Sequence, residues 1–397
     1  MPTFETEMMK FTFPIRFHKA STKKSVNSFE WFIQTIGQSF EELAIPYYSF
    51  QRKGELKNGQ EDLRTPAQLK MPFLKKLKLF LYFDARIPLD LSFIANSSLL
   101  QSLSFEISMI CNGVPEVISL DFLAFLPQLH ELCLTLPLAS CLIIPPIHTL
   151  EKLTISSQLG NYDSKNIRQI LQTNKKLKVL DITLCYYQIT ELFKEDVNIP
   201  SLQNLSLKIF QRDQGIMPID SEEIQVLQNF FQKSQNVQTL ALFLPSNNVL
   251  LFYPILEAVK SFTNLENFSL GIFFDVSFDN VFISFKELFK KLANLKSLKL
   301  DLEMHAHDSK EWLISPEDLN CLENLEVFYL RIDSSLISAT GRRFIEYFML
   351  RKNIKKIQFS FKDFGMRRYF SLFPDSNLKF WENDLYELSD SKIDWRD

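Results

Sequence analysis

The stretch "NLKSLKL", residues 294–300, belongs to a series. "NVQTLAL" starts at Asn236, "NLENFSL" at Asn264, "NLEVFYL" at Asn324 and "NIKKIQF" at Asn353. Aligned on three large apolar anchors spaced as L-x-x-L-x-L, copies begin at Leu74, Leu100, Leu129, Leu150, Leu177, Leu202, Val237, Leu265, Leu295, Leu325 and Ile354. The steps between them run from 21 to 35 residues and centre near 28, and a degenerate copy begins at Met8 ("MMKFTF"). A period of this length restricts the fold more than any other feature. Each unit is one small element that cannot bury its apolar face alone, so neighbouring units must stack.

The second and third anchors lie two residues apart, the period of a strand with one buried face. Position eight of most copies is apolar as well, so each strand alternates in and out over about five residues. Helical patterns fill several intervals. "SEEIQVLQNFFQKSQ" opens on Ser221, an N-cap residue followed by two acids. "SPEDLNCLEN" places Ser315 as cap and Pro316 at the first helical position. "SFKELFKKLAN" and "GRRFIEYFMLRKN" space their apolar residues helically too. Asn236, Asn264, Asn294, Asn324 and Asn353 fall where a helix should stop and a strand begin. Asparagine tolerates the left-handed conformation that ends many helices, and this chain has only nine glycines to use there.

One strand and one helix, recurring about every 28 residues, resemble the leucine-rich repeat family in its longer, ribonuclease-inhibitor-like form. The resemblance covers residues 74–362. It implies an α/β solenoid of about 11–12 repeats, with a curved parallel sheet on the concave side and helices on the convex side. The family pattern also places Asn or Cys three positions after the third anchor, where it forms a hydrogen-bonded ladder. Here that place holds Tyr82, Ser108, Pro137, Gln158, Cys185, Phe210, Pro245, Phe273, Glu303, Asp333 and Lys362. Only Cys185 fits, so the asparagine ladder is expected to be missing.

Three segments follow. Residues 1–70 form an N-terminal cap, in which 25–43 reads as an amphipathic helix and "IPYYSF" as a strand. Residues 71–362 are the array. Residues 363–397 form a C-terminal cap with an acidic tail, and Phe380, Trp381 and Trp395 are candidates to cover the last strand. The longest step, from Leu202 to Val237, holds the insertion "FQRDQGIMPIDSEE".

Composition narrows the function classes. A net charge of −3 with mixed signs weighs against a general nucleic-acid binder. Neither G-x-G-x-x-G nor G-x-x-x-x-G-K-[ST] occurs. Five scattered cysteines without a C-x-x-C pair suit a reducing compartment. The N-terminal residues read as neither signal nor transit peptide, and no stretch is apolar enough to span a membrane. The expected location is cytoplasmic.

Catalytic and metal chemistry are poorly represented. "DLEMHAHD" gathers Asp301, Glu303, His305, His307 and Asp308 just past a repeat strand, where polar loop residues are ordinary. Cys133 faces outward, but adjacent His130 points to the opposite side of the strand and is poorly placed to activate it. The sequons at Asn96, Asn204 and Asn267 have no secretory signal to support them. No cofactor, metal or small-molecule substrate is expected.

The resemblance implies that outward strand positions five and seven build a partner surface. From Leu100 to Leu265 these positions are mostly small and polar, with Phe243 the large exception. Toward the C-terminus they become large and charged: Lys299, Asp301, Tyr329 and Arg331. Near the N-terminal end Lys75, Lys76 and Lys78 form a basic patch. Tyr and Arg are common binding anchors, so Tyr329 and Arg331 lead the candidates, followed by Phe243. The expected function is a non-catalytic protein-interaction scaffold, a subunit of a larger assembly. The alternative is a regulatory inhibitor or a substrate-recognition subunit such as a ubiquitin-ligase adaptor.

Overall fold

The structure is a computed structural model. It describes residues 41–49, 71–83, 91–109, 118–136, 142–157, 164–185, 188–194, 197–210, 221–244, 249–274, 285–304, 316–333, 347, 351, 353–363 and 366–372. The chain divides into two compact units, Met1–Val237 and Gln238–Asp397.

In the first unit the strands are β1 (Glu42–Ser49), β2 (Lys76–Phe83), β3 (Ser102–Met109), β4 (Ile118–Ser119), β5 (Glu131–Leu136), β6 (Leu142–Ile143), β7 (Lys152–Ser157), β8 (Val179–Cys185) and β9 (Asn204–Phe210). β1, β2, β3, β5, β7, β8 and β9 pair in that order, every pair parallel. The short strands β4 and β6 make a separate parallel pair. Helices α1 (Ser164–Thr173), α2 (Ile189–Leu192) and α3 (Ser221–Lys233) fill the later connections. The earlier connections hold 3₁₀ turns at Ser92–Asn96 and Asp121–Phe125.

The second unit holds β10 (Thr239–Leu244), α4 (Val249–Val259), β11 (Asn267–Phe274), α5 (Phe285–Lys291), β12 (Ser297–Met304), a 3₁₀ turn at Pro316–Cys321, β13 (Val327–Asp333), β14 (Lys356–Asp363) and β15 (Met366–Leu372). β10 to β14 pair in sequence order, all parallel. β15 runs antiparallel to β14 and ends the parallel run.

The anchors set this register. Leu103 pairs with Leu132 and Phe105 with Leu134, while Leu270, Leu300 and Leu330 line up across three strands. All seven are at most 2% exposed. A slip of one residue would turn each set into water, so the triplet fixes the pairing. Each buried leucine contributes on the order of 2 kcal/mol. The apolar rows continue ahead of the strands through overlapping i→i+3 turns. Leu292 N–H donates to Phe289 O at 3.1 Å, and Leu295 N–H to Leu292 O at 3.0 Å. Leu322 and Leu325 repeat the pattern onto Leu319 and Leu322. Between the layers, Phe193 stacks on Phe230 with ring centroids 4.3 Å apart, and Phe285 on Phe289 at 5.5 Å.

Some expectations shift. The segment "SPEDLNCLEN" forms a 3₁₀ turn rather than an α-helix. Its apolar residues Leu319, Leu322 and Leu325 recur every three residues, which suits three residues per turn. α3 and α5 appear where the helical patterns place them. Strand β1 begins at Glu42, so the last residues of the helical reading of 25–43 are strand instead. Pairing with β2 overrides local helix preference there. A further copy of the triplet, Phe40-x-x-Leu43-x-Ile45, sits in this segment, and Leu43 and Ile45 pair with the anchors Leu77 and Leu79. The copy at Met8, the insertion at 211–220, and Phe380, Trp381 and Trp395 lie outside the described residues.

Candidate functional site

Alternation along each strand leaves one face of each sheet outward. In the second unit, position five of successive strands reads Ala241, Ser269, Lys299, Tyr329 and Gln358, paired in that order. Position seven reads Phe243, Gly271, Asp301, Arg331 and Ser360. The sheet thus places the candidates on β10, β12 and β13, with Gly271 of β11 between Phe243 and the other four.

Two cross-strand pairs organise them. Lys299 Nζ stands 5.0 Å from the centre of the Tyr329 ring, a cation–π contact. Arg331 Nη1 donates to Asp301 Oδ2 at 3.2 Å. The Asp301 side chain is only 12% exposed and that of Arg331 22%, so this pair is screened less than a surface ion pair. Beside them the Phe243 ring lies across Gly271. The result is a flat aromatic plate, a shielded ion pair and an exposed ammonium within three residues of one another along the strands.

The first unit presents a different face. Position five reads Ala44, Lys78, Ser104, Cys133, Thr154, Asp181 and Ser206. Lys78 Nζ lies 4.5 Å from the ring centre of Phe80 on its own strand. Lys76, the first residue of β2, reaches Glu42 Oε1 at 2.8 Å, and this carboxylate holds its ammonium above the ordinary lysine range. Lys75 precedes the strand and reaches Glu41 Oε1 at 2.9 Å. Two of the three lysines of the basic patch are therefore matched by carboxylates one strand away.

That pairing is part of a ladder. The residue after the first anchor accepts, through its carbonyl, two backbone N–H groups from the next repeat. Lys75 O receives Gln101 and Ser102, Glu151 O receives Lys178 and Val179, and Lys296 O receives Glu326 and Val327. The same residues often alternate in charge. Lys178 Nζ meets Glu151 Oε2 at 2.7 Å, Lys296 meets Glu266 at 3.0 Å, and Lys355 meets Glu326 at 2.8 Å. Hydrogen bonding to Lys178 keeps the Glu151 carboxyl below the usual range.

A second ladder involves the recurrent asparagines. Asn294 Nδ2 donates to Thr263 O and Asn324 Nδ2 to Ala293 O, both at 3.0 Å. Asn353 reaches Glu323 O in the same way, and in the first unit Asn236 reaches Pro200 O at 2.7 Å. Each of these carbonyls lies one repeat earlier. The asparagines do more than end a turn: their amides tie consecutive repeats together. The donor sits immediately before the first anchor, not three residues past the third.

Other candidates resolve simply. His305, His307 and Asp308 lie outside the described residues, and Asp301 is engaged by Arg331. Among the described residues no group of three or more His, Cys, Asp or Glu is placed to hold a metal. His130 Nδ1 lies 3.3 Å from Thr149 O, while Cys133 is half-buried on β5. Asn204 and Asn267 open β9 and β11. Cys133, Cys185 and Cys321 form no disulfide among the described residues, and burial pushes the Cys321 thiol up. No helix among the described residues is long and apolar enough to cross a membrane.

The sequence reading missed the charge ladder, although the signal is present: Glu266, Lys296, Glu326 and Lys355 alternate in sign at one repeat position. It also missed how Phe243 covers Gly271, because the pairing register must be known first.

No family model matches the sequence, and no curated protein matches it. Among solved structures, a structural-genomics target protein from Bacteroides fragilis aligns with a TM-score of 0.36 and 19% identity, over 61% of this chain and 68% of that one.

Proposed function

We propose that the chain is a leucine-rich-repeat solenoid acting as a non-catalytic scaffold: a subunit of a larger assembly that holds a protein partner on its outward strand face. The reading is supported above all by the grouping of Phe243, Lys299, Asp301, Tyr329 and Arg331 on β10, β12 and β13, parallel strands of one face. Such a face offers an aromatic plate, an arginine held in place by its carboxylate and a tyrosine, the residue types that anchor protein interfaces. A reducing, cytoplasmic setting suits these three cysteines, which form no disulfide among the described residues.

Affinity purification from the native source with cross-linking tests this. The expected result is a protein partner whose cross-links fall on Lys299 or Lys356. Cross-links confined to residues outside the strand faces would reject the assignment of the surface. Recovery of no protein above background would reject the function.

A further inference from the structure

We infer that the outward face of the second unit receives an extended, acidic segment of its protein partner. The inference rests on the binding role proposed above and names the chemistry of what is bound. It comes from a difference in charge between the two faces. Across outward positions three, five and seven of the first unit, four lysines stand against four carboxylates, a net charge of zero. Across the same positions of the second unit, wherever the side chains are described, Lys299, Arg331 and Lys356 stand against Asp301 alone, a net +2. This surplus lies on a chain whose overall charge is −3.

Among the described residues the surplus is also unneutralised. Lysines of the boundary ladder, such as Lys296 and Lys355, each hold a glutamate from the preceding repeat. Arg331 holds Asp301. Lys299 and Lys356 are exposed and meet no carboxylate among the described residues. They lie on β12 and β14, two strand spacings apart and offset by two residues along the strands, because Lys299 is level with Tyr329 and Gln358 while Lys356 is level with Val327, so their Cα atoms stand about 12 Å apart. An extended peptide rises about 3.3 Å per residue and points every second side chain to one face, so carboxylates four residues apart face the same side and span about 13 Å. Between the two lysines, Tyr329 supplies a ring on which an intervening apolar side chain can rest. The matching ligand is therefore an extended run with acids at every fourth position and an apolar residue midway between them.

A fluorescein-labelled probe of sequence SESLSESLSE, titrated against the full chain by anisotropy, tests the inference. The acidic probe should bind at least about tenfold more tightly than SKSLSKSLSK and weaken as salt rises from about 0.05 to 0.15 M. Lys299→Glu and Lys356→Glu should each weaken it about threefold or more, while Lys152→Glu on the first unit leaves it unchanged. Lys356 is exposed, so its variant keeps the test intact if Lys299→Glu disturbs Tyr329. Equal binding of the two probes, or parental binding by both charge-reversed variants, overturns the inference. Tighter binding of an oligothymidylate would assign the patch to nucleic acid and overturn it as well. The underlying reading fails separately: a native partner cross-linked to this face, with the acidic probe not binding, sinks only the acidic ligand.

Discussion

Phe243 on β10 folds its ring over Gly271, its register partner on β11, so that a Cβ built on Gly271 would lie 2.8 Å from Cε1 of the ring and closer still to Cδ1. Glycine is the residue that leaves room for this plate. Gly271→Ala forces the ring to swing away, which an outward-facing side chain can do at modest cost. Stability should fall by about 1 kcal/mol, while partner binding should weaken several-fold because the plate is displaced. Phe243→Ala should match the binding loss and leave the fold nearly unchanged. Urea unfolding and partner titration of both variants check this. Parental binding by both would remove Phe243 from the site.

Two buried polar residues at equivalent places should respond in opposite directions. Asn174 and Ser97 each stand three residues before a first anchor, and both are 0% exposed. The Asn174 amide is fully used: Leu150 N–H donates to Oδ1 at 2.8 Å, and Nδ2 donates to Ile170 O at 2.8 Å and to Ile147 O. Asn174→Leu strands a buried N–H and a carbonyl and should cost about 3 kcal/mol. The Ser97 hydroxyl has no hydrogen-bond partner among the described residues. Ser97→Ala should raise stability by about 1 kcal/mol. Thermal melts of the two variants decide the matter, and a destabilised Ser97→Ala would show that the hydroxyl is satisfied.

The same residues show how far the sequence could be read. The triplet fixed strand positions and inward faces because burial at a period of two is a local pattern. Leu298, Leu300, Phe328 and Leu330 all sit where it puts them. The candidate surface was legible for the same reason, since whatever is not inward on such a strand is outward. What escaped depends on neighbours distant in sequence. Arg331 meeting Asp301, or Lys75 meeting Glu41, requires knowing which residue lies opposite, about thirty positions away. The asparagines were noticed, but their amide donors reach carbonyls one repeat back, a contact that conformational preference alone does not suggest. Most of strand β1 was legible in "IPYYSF", but its start at Glu42 escaped because Phe40 replaces the usual leucine and the acids around it read as helix.

Arg351 caps the Pro316–Cys321 turn in a manner that lysine cannot copy. Its Nη1 donates to Leu322 O at 3.0 Å, and its Nη2 to Leu319 O at 3.0 Å and Asn320 O at 3.2 Å. The guanidinium also lies 5.1 Å from the ring centre of Tyr347. Leu319 O and Leu322 O each also accept one backbone N–H, from Leu322 and Leu325, so the guanidinium fills the second lone pair of both. Arg351→Ala should cost about 2 kcal/mol. Arg351→Lys should recover less than half of that, because an ammonium is a single point and not a planar fork. Full recovery in Lys would mean that charge near the turn end matters and the fork does not.

The Glu151–Lys178 rung offers a test by pH. The hydrogen bond from Lys178, with its charge, holds the folded carboxyl of Glu151 below the ordinary value, so the folded state binds its proton less tightly than the unfolded chain does. The stability this rung contributes is present above the ordinary carboxylate pKa of about 4.3 and is lost as pH falls through the lowered folded value. Lys178→Met removes the rung at every pH. The gap between parent and variant urea midpoints should therefore be widest near neutral pH, narrow as pH drops below about 4, and close once Glu151 is protonated in both states. The gap is small throughout, since both side chains are about half exposed and an exposed pair contributes less than about 1 kcal/mol. Raising salt at neutral pH should narrow it in the same way. A gap that stays constant from pH 7 to pH 3 would show that Lys178 acts through its aliphatic stem packing on the sheet edge and not through the ion pair.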